Sequence, residues 1–194
     1  MSEGRLSRIA QAVRAHIPQV AGRDEPFVES AVALVLREGK ADVEMLFIQR
    51  AVREGDPWSG QVALPGGKRD LHETDLAETV IRETREETGL DLAVHGALVG
   101  ALDELRPRTP VLPPVIIRPY VATLPGACRV IPSDEVSGHF WAPLDALFDP
   151  ANTRNTRVRT RGVFWMWREA IHYDGQVIWG LTERILRGFE EVTR

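Results

Sequence analysis

Cysteine is nearly absent from this sequence, because Cys128 is the only one among 194 residues. A single cysteine excludes an internal disulfide and is typical of proteins in reducing compartments, so we expect a cytoplasmic protein. Long apolar runs are missing as well. No segment approaches the roughly 20 apolar residues that a membrane-spanning helix needs. We therefore expect no membrane partner.

An excess of positive charge is also missing. Lys and Arg total 24 against 28 Asp and Glu, which gives a formal net charge of −4. Proteins hold nucleic acid largely by neutralising phosphates with Lys and Arg, so we expect no nucleic-acid partner. With 43% apolar and 27% charged residues, the composition is that of an ordinary folded domain.

Apolar residues recur at helical spacing near the N-terminus. They are Leu6, Ile9, Ala10, Val13 and Ile17. The spacing predicts a helical extension over residues 1–25, packed on the domain or on a partner, and leaves residues 26–194 as the main domain. The same pattern also fits a transit peptide, although Glu3 argues against one.

The rest of the chain alternates strand and helix signals. β-rich apolar runs predict strands at 28–36, 45–49, 92–102, 115–124, 163–173 and 177–179. A helix is predicted over 76–88, with Gly89 at its C-cap, and another at the C-terminus. Asp174-Gly175 favours a tight hairpin turn between the last two strands. We expect an α/β fold in which helices cover the faces of a mixed sheet.

Acidic residues are concentrated in the segment Arg82–Leu90, which reads RETREETGL. On a helix, Glu83, Glu86 and Glu87 stand at i, i+3 and i+4, so their carboxylates share one side. Hard divalent cations such as Mg²⁺ take oxygen ligands of this kind, often together with substrate phosphates. The spacing therefore indicates a cation site.

The alternative is a solvated helix face, on which i,i+4 pairs such as Arg82 with Glu86 contribute a few tenths of a kcal/mol. Two features favour the cation site. The glutamates lie in the last turns of the helix, where the backbone dipole disfavours carboxylates by about 0.3–1 kcal/mol each. The preceding Leu64-Pro65-Gly66-Gly67 can also bring bare backbone close to a phosphate or an ion.

This segment resembles the Nudix box. The matching residues are Gly67, Arg82, Glu83, Glu86, Glu87, Gly89 and Leu90. The resemblance implies a Nudix-type α/β/α sandwich with a mixed β-sheet, a Mg²⁺ or Mn²⁺ cofactor, and hydrolysis of nucleoside diphosphates linked to another moiety. Fourteen residues separate Gly67 from Arg82, one more than in the common box. That insertion displaces Glu73 and leaves its role open.

The extra residue is similar to the coenzyme A diphosphatase-like branch of the family. Residues 60–67 (GQVALPGG) and 178–182 (IWGLT) resemble that branch too. Coenzyme A or acyl-CoA is therefore the implied substrate, and a homodimer is plausible for the family. Residues 56–59 (DPWS) depart from the branch pattern, so ADP-ribose, nucleotide sugars and dinucleotides stay open as substrates.

The family pattern implies a role for each box residue. Glu83 and Glu87 are the first metal ligands, with Glu86 and the Gly66 carbonyl beside them. The guanidinium of Arg82 is expected to orient Glu86 or a loop acid through charge-assisted hydrogen bonds. We count Arg82 and Glu86 among the catalytic residues.

Residues outside the acidic cluster complete the expected site. Glu135 is the expected general base, because several family members carry an acid shortly before a strand tryptophan such as Trp141. Asp103 and Glu104 are the alternatives. Substrate is expected to contact Gly67 and the arginines Arg50, Arg53 and Arg69, any of which could bind a 3′-phosphate.

Three other groups favour ordinary structural roles. The histidines show no mutual metal-ligand spacing, so we expect no zinc site. Packing in the core and an interface, rather than a platform for stacking bases, is expected for Phe164, Trp165, Trp167 and Trp179. A solvated loop is expected for the basic run Arg154, Arg157, Arg159 and Arg161, with a phosphate-rich substrate or a second subunit as alternative uses.

Three classes of function are compatible with the chain: a diphosphate hydrolase, a ligand-sensing module on the same fold, and an interaction protein. A pure binder does not need three converging carboxylates, which argues against the second class. The third leaves the Nudix-like segment unexplained. The sequence thus favours the hydrolase.

Overall fold

The computed structural model of the protein describes residues 4–54, 58–107, 114–126, 128–160 and 164–194. Its helices are α1 (Arg5–Ala15), α2 (Leu76–Thr88), α3 (Leu92–His95), α4 (Leu144–Phe148) and α5 (Leu181–Thr193). Its strands are β1 (Val28–Glu38), β2 (Val43–Arg50), β3 (Val62–Ala63), β4 (Gly66–Lys68), β5 (Ala97–Ala101), β6 (Val115–Leu124), β7 (Val136–Pro143), β8 (Thr153–Thr160), β9 (Phe164–Tyr173) and β10 (Gln176–Trp179).

The larger sheet is mixed, and β1 lies at its centre. Its strand order is β3-β2-β1-β6-β5, with β4 pairing with β1 and β7 pairing with β2. The β1–β6 pair is parallel and the others are antiparallel. One edge of β1 changes partner along its length, from β4 at residues 30–32 to β2 at residues 36–38. This change brings the short β4 alongside the middle of the sheet.

Helices cover both faces of this sheet, because the strand residues on each face are apolar. One face packs Ala31, Ala33 and Val35 against Leu76 and Val80 of α2. The opposite face packs against α1 and α5, and its buried cluster contains Ile9, Val13, Leu34, Leu36, Leu186 and Phe189. The expected α/β/α sandwich with a mixed sheet is therefore confirmed. None of the described helices is long and apolar enough to cross a membrane.

Helix α2, which carries the acidic cluster, has the predicted limits. The side chain of Asp75 caps its start by accepting a 2.6 Å hydrogen bond from the Ala77 amide. Gly89 ends it in the left-handed conformation (φ 72°), and its amide donates to the Arg85 carbonyl. Glycine adopts this conformation without a side-chain clash, so the sequence determines where the glutamate-bearing turns end.

Several predicted elements differ from the structure. The predicted strand 92–102 is wrong at its start, because Asp91 caps the short helix α3 there and β5 begins only at Ala97. Strand β7 was not predicted from the apolar patterns, because its mixed polar sequence lacks a strand signal, although the family resemblance placed Trp141 on a strand. The basic run is strand β8, where arginines alternate with smaller residues, rather than a loop. Arg161 lies outside the described residues.

Core packing of the aromatic cluster is also wrong for two of its members. Trp165 and Trp167 lie on β9 with 55% and 67% of their surfaces exposed. Their neighbours further along the same strand, Ala170 and Ile171, are buried. Strand β9 therefore packs on the core at one end and leaves its aromatic end uncovered.

Candidate active site

Two glycines of β4 allow the acidic helix to approach the sheet. Gly66 has φ 150°, and a Cβ there would lie 2.2 Å from the Ala31 carbonyl oxygen. A Cβ on Gly67 would lie 2.4 Å from the carboxylate of Glu83. A larger residue at Gly66 would clash with the backbone of β1, and one at Gly67 would displace the carboxylate of Glu83. The expected close approach of bare backbone therefore has a steric basis.

The carboxylate of Glu87 lies at the bottom of this site. It is 3% exposed and accepts a 2.8 Å hydrogen bond from the Gly66 amide. Arg50 Nη1 lies 3.9 Å from its Oε1. Burial raises the pKa of Glu87 to about 7, and the nearby carboxylates of Glu83 and Glu135 add to that rise. The Gly66 amide and Arg50 only partly oppose it.

Glu83 faces the same point from one turn earlier in α2. Burial raises its pKa as well, and the charges of Glu86 and Glu135 contribute in the same direction. Arg82 Nη1, 3.0 Å from Glu83 Oε1, lowers the pKa without reversing the rise. Burial thus raises the cost of ionising Glu83 and Glu87, and the nearby charge of Glu135 adds to it.

Arg82 is held in a fixed orientation by contacts to several groups. Its Nε donates to Glu73 Oε1 at 2.7 Å, its Nη2 donates to the Lys68 carbonyl at 3.0 Å, and its Nη1 donates to Glu86 Oε2 at 3.1 Å. Glu86 is otherwise half exposed. The guanidinium therefore connects the loop after β4 to the acidic face of α2, as expected of an orienting residue.

Glu73 has a role that its displaced position in the sequence did not reveal. It is 4% exposed and accepts hydrogen bonds from Arg82, from Thr79 Oγ1 at 2.7 Å and from the Asp70 amide at 2.8 Å. Burial alone would raise its pKa, but these hydrogen bonds lower it to about 2. Glu73 is the loop acid that holds Arg82, despite the inserted residue.

Thr79 matches the coenzyme A diphosphatase-like branch in sequence, but its role in the site was not predicted. It is fully buried and donates to Glu73 from the side of α2 that faces the core. The available signal was its spacing, since it stands three residues after the buried Leu76 and occupies a position where an apolar residue is usual. A buried hydroxyl at such a position requires a hydrogen-bond partner nearby.

Backbone hydrogen bonds hold Glu135 beside the acidic cluster. The amides of Ile131 and Ser133 donate to the carbonyls of Thr88 and Glu87, which fastens this segment to the end of α2. The Ala51 amide donates to the Glu135 carbonyl, and Arg53 Nη1 donates to Glu135 Oε1 at 2.9 Å. The carboxylate of Glu135 is half exposed and lies where solvent and substrate can reach it.

The two alternative bases are engaged elsewhere. Asp103 accepts hydrogen bonds from the Gln19 amide and pairs with His16, both at 2.8 Å. The side chain of Glu104 is fully buried and binds Arg23 and Arg118. Both acids fasten the segment after α1 to the domain, so the structure favours Glu135 over them.

The candidate substrate arginines divide into two groups. Arg50 and Arg53 lie beside Glu87 and Glu135 respectively. Arg69 instead pairs with Glu29 and donates to the Glu73 carbonyl at 3.1 Å. Arg69 therefore supports the loop after β4, whereas Arg50 and Arg53 face the acidic cluster.

The donor set fits a hard divalent cation, although the side chains do not form a complete ligand set. Within the described ranges, no three His, Cys, Asp or Glu side chains have metal-binding geometry. Glu83 and Glu86 both contact Arg82, so ligation requires them to turn toward Glu87. Oxygen ligands whose ionisation is penalised by burial and by one another suit Mg²⁺ or Mn²⁺, because the cation offsets that penalty.

Comparison with models of protein families shows to which family this chain belongs. The NUDIX domain model matches residues 27–163, which include β1, β4, α2 and Glu135. The chain belongs to the Nudix family. The match begins after α1.

Relatives of the chain agree with this assignment. It is 31% identical over 134 residues to an uncharacterised Nudix hydrolase, NudL, of Yersinia pestis, covering 66% of this chain and 62% of the relative. It is 39% identical over 115 residues to an uncharacterised protein of Schizosaccharomyces pombe, covering 57% of this chain and 35% of that protein. The Nudix chain thus spans less than two thirds of either relative.

Solved structures share the fold. A MutT/nudix family protein of Enterococcus faecalis superposes with a TM-score of 0.59 over 99% of this chain and 75% of that one, at 19% identity. An Ap4A hydrolase of C. elegans superposes with a TM-score of 0.50 over 61% of this chain and 81% of that one, at 21% identity. At such identities the likeness concerns the fold alone.

Replacing Glu73 by Gln should lower the free energy of unfolding by about 1.5–3 kcal/mol at pH 7, because charge-assisted hydrogen bonds are lost. The pKa of Glu73 is about 2 in the folded state against an ordinary 4.5, so its stabilisation is present above pH 4.5 and is lost as the pH falls toward 2. Urea unfolding at pH 7, 5 and 3.5 measures this. Glu191→Gln, at an exposed position of α5, is the control and should change stability by less than about 0.5 kcal/mol. A pH-independent loss would contradict the assignment.

Replacing Glu87 by Gln should raise the free energy of unfolding in chelator by about 1–3 kcal/mol at pH 8, since it removes a buried charge but keeps an acceptor for the Gly66 amide. The pKa of Glu87 is raised, so its contribution to the free energy of unfolding is fully present below pH 4.5 and is lost as the pH rises through 7. The gain of the variant should therefore vanish near pH 4.5.

Thermal unfolding with and without Mn²⁺ completes this test. Mn²⁺ should raise the melting temperature of the wild-type protein and have little effect on Glu87→Gln. Glu191→Gln removes the same charge from an exposed position of α5 and should behave like the wild type. If Glu87→Gln were less stable than the wild type at pH 8 in chelator, the charge of Glu87 would not be destabilising and the account would be wrong.

Proposed function

We propose that this Nudix protein is a divalent-metal-dependent hydrolase of the diphosphate linkage in nucleoside diphosphate derivatives, with coenzyme A or acyl-CoA as the preferred substrate. The observation that carries the proposal is the meeting of three carboxylates, from Glu83, Glu87 and Glu135, beside the bare backbone of Gly66 and Gly67. Such a site can hold a cation.

The residues of the site divide the work between metal binding and proton transfer. Glu83 and Glu87 would hold Mg²⁺ or Mn²⁺, with Glu86 and the Gly66 carbonyl as further ligands. Such an ion, when bound, lowers the pKa of a water and neutralises charge on the diphosphate oxygens.

The remaining charged groups orient the acids and receive the proton. Arg82, itself held by Glu73, orients Glu83 and Glu86. Glu135 accepts the proton of the attacking water, because its carboxylate is accessible and Arg53 fixes its position.

Contact between two segments supports the choice of substrate. Residues 60–67 and 178–182 are the parts of the chain outside the acidic cluster that resemble the coenzyme A diphosphatase-like branch. They lie together, since Thr182 Oγ1 donates to the Val62 carbonyl at 3.2 Å. Arg50 and Arg53 supply cations near the cluster for a substrate phosphate, with Gly67 and Arg69 as the further substrate-binding candidates.

Replacing Glu135 by Gln should lower kcat by about 10²–10⁴-fold, because a general base contributes that much to proton transfer. Mn²⁺ affinity should stay within a few-fold of the wild type, since a base does not ligate the ion. Rates and Mn²⁺ titrations of both proteins measure the two effects. Asp134→Asn, at the exposed neighbouring position, is the control and should leave both unchanged. Loss of Mn²⁺ affinity in Glu135→Gln would make this residue a ligand instead.

The substrate is tested by product analysis over a panel of diphosphate compounds with Mg²⁺ or Mn²⁺. We expect cleavage of coenzyme A to 3′,5′-ADP and phosphopantetheine, with lower kcat/KM for ADP-ribose, nucleotide sugars and dinucleotides. Faster cleavage of ADP-ribose, with coenzyme A intact, would overturn the substrate while keeping the hydrolase. Absence of metal-dependent cleavage across the panel would overturn the hydrolase itself.

A further inference from the structure

Two arginines and two tryptophans share one face of the second sheet, which consists of β10, β9 and β8 in that order. In the β8–β9 register Arg157 lies opposite Trp167, and Arg159 lies opposite Trp165. Directly opposite residues of an antiparallel pair project from the same side. We call these four residues the Arg-Trp face. None of them belongs to the acidic site.

The exposure of this face is unusual for its composition. Both tryptophans are more than half exposed, while Ile171, two positions beyond Glu169 on the same side of β9, is buried. Exposed aromatic residues that lie close together are typical of interaction surfaces. The Arg-Trp face is therefore suited to a ligand that can cover the indole rings of Trp165 and Trp167.

The charges of the face point to an anionic ligand. The guanidinium of Arg157 lies over the Trp165 ring, with its Cζ 5.1 Å from the ring centroid. Neither Arg157 nor Arg159 forms an ion pair with an acid in the part of the chain that the structure describes. Arg154 is on the opposite side of β8, where it contacts His172 at 3.1 Å. The face thus combines two positive charges with two flat aromatic rings.

We propose that the Arg-Trp face binds single-stranded nucleic acid, with bases stacked on Trp165 and Trp167 and phosphates at Arg157 and Arg159. Alternate residues of a strand lie about 6.6 Å apart, which gives each ring room to stack on a separate base. Stacking of a base on an aromatic side chain contributes about 1–3 kcal/mol and tolerates any base. The overall net charge of −4 suggested no nucleic-acid partner, but that value averages over the whole surface and does not describe this face.

Two other partners fit the face less well. A second copy of the chain pairing along the β8 edge would set arginine against arginine, and two half-exposed indoles offer roughly 200–300 Å² against the about 800 Å² per partner of a stable interface. An anionic membrane requires aromatic rings that enter deeper than the charges, whereas here each tryptophan lies directly opposite an arginine and the Arg157 guanidinium lies over the Trp165 ring.

Fluorescence anisotropy of a labelled oligouridylate 12-mer tests the proposal. In 50 mM salt we expect binding by the wild-type protein that weakens at least tenfold in Trp165→Ala/Trp167→Ala and in Arg157→Glu/Arg159→Glu. Two neutralised phosphates predict a slope of about −1.4 for log K against log salt concentration, and a slope near zero in the arginine variant. Arg14→Glu/Arg129→Glu makes the same charge change at exposed positions elsewhere and should lose less than threefold.

The remaining measurements separate recognition from folding and from the other partners. Trp165→Phe/Trp167→Phe keeps flat rings and should retain most of the binding, and circular dichroism checks that each variant is folded. The proposal is overturned if the wild-type protein fails to bind at millimolar oligonucleotide, or if the control variant loses as much as the arginine variant. It is also overturned if phosphatidylserine vesicles or self-association, rather than the oligonucleotide, depend on the two tryptophans.

Discussion

Burying the carboxylate of Glu87 beside two other carboxylates costs free energy, and much of the surrounding structure is arranged to allow it. Gly66 and Gly67 bring β4 close enough for a backbone amide to bind Glu87. The capped end of α2 and the segment that carries Glu135 are fastened to each other by hydrogen bonds. A fold selected for stability alone would not concentrate negative charge at this end of a helix, and the cation that we propose would account for the arrangement.

The pKa values of two acids in this part of the fold, Glu73 and Glu87, are shifted in opposite directions. Arg82, Thr79 and a backbone amide lower the pKa of Glu73 to about 2, whereas burial raises that of Glu87 to about 7. Glu73 therefore stays ionised and fixes Arg82, while Glu87 remains ready to exchange a proton for a cation near neutral pH. Environments that separate the pKa values of neighbouring acids are a common way to assign them different roles.

The sequence predicted the local elements better than the long-range ones. The Gly89 C-cap of α2 and the i, i+3, i+4 spacing of its glutamates depend on neighbouring residues, and those predictions agree with the structure. Pairing of Arg82 with a loop acid was one of the expectations, but the inserted residue left Glu73 unassigned, and only the folded loop identifies it as that acid. Strand β7 depends on pairing with β2, which no local pattern records. The exposure of Trp165 and Trp167 was not predicted either, because it depends on where along β9 the contact with the core ends.

The most direct test of the central claim is the number of protons released when Mn²⁺ binds, measured by calorimetry in buffers of different ionisation enthalpy. If Glu87 has a pKa near 7 and ligates the ion, binding at pH 6.5 should release about 0.8 proton and binding at pH 8.5 almost none. Glu87→Gln should abolish the release at pH 6.5. Equal release at both pH values, or unchanged release in the variant, would contradict the account.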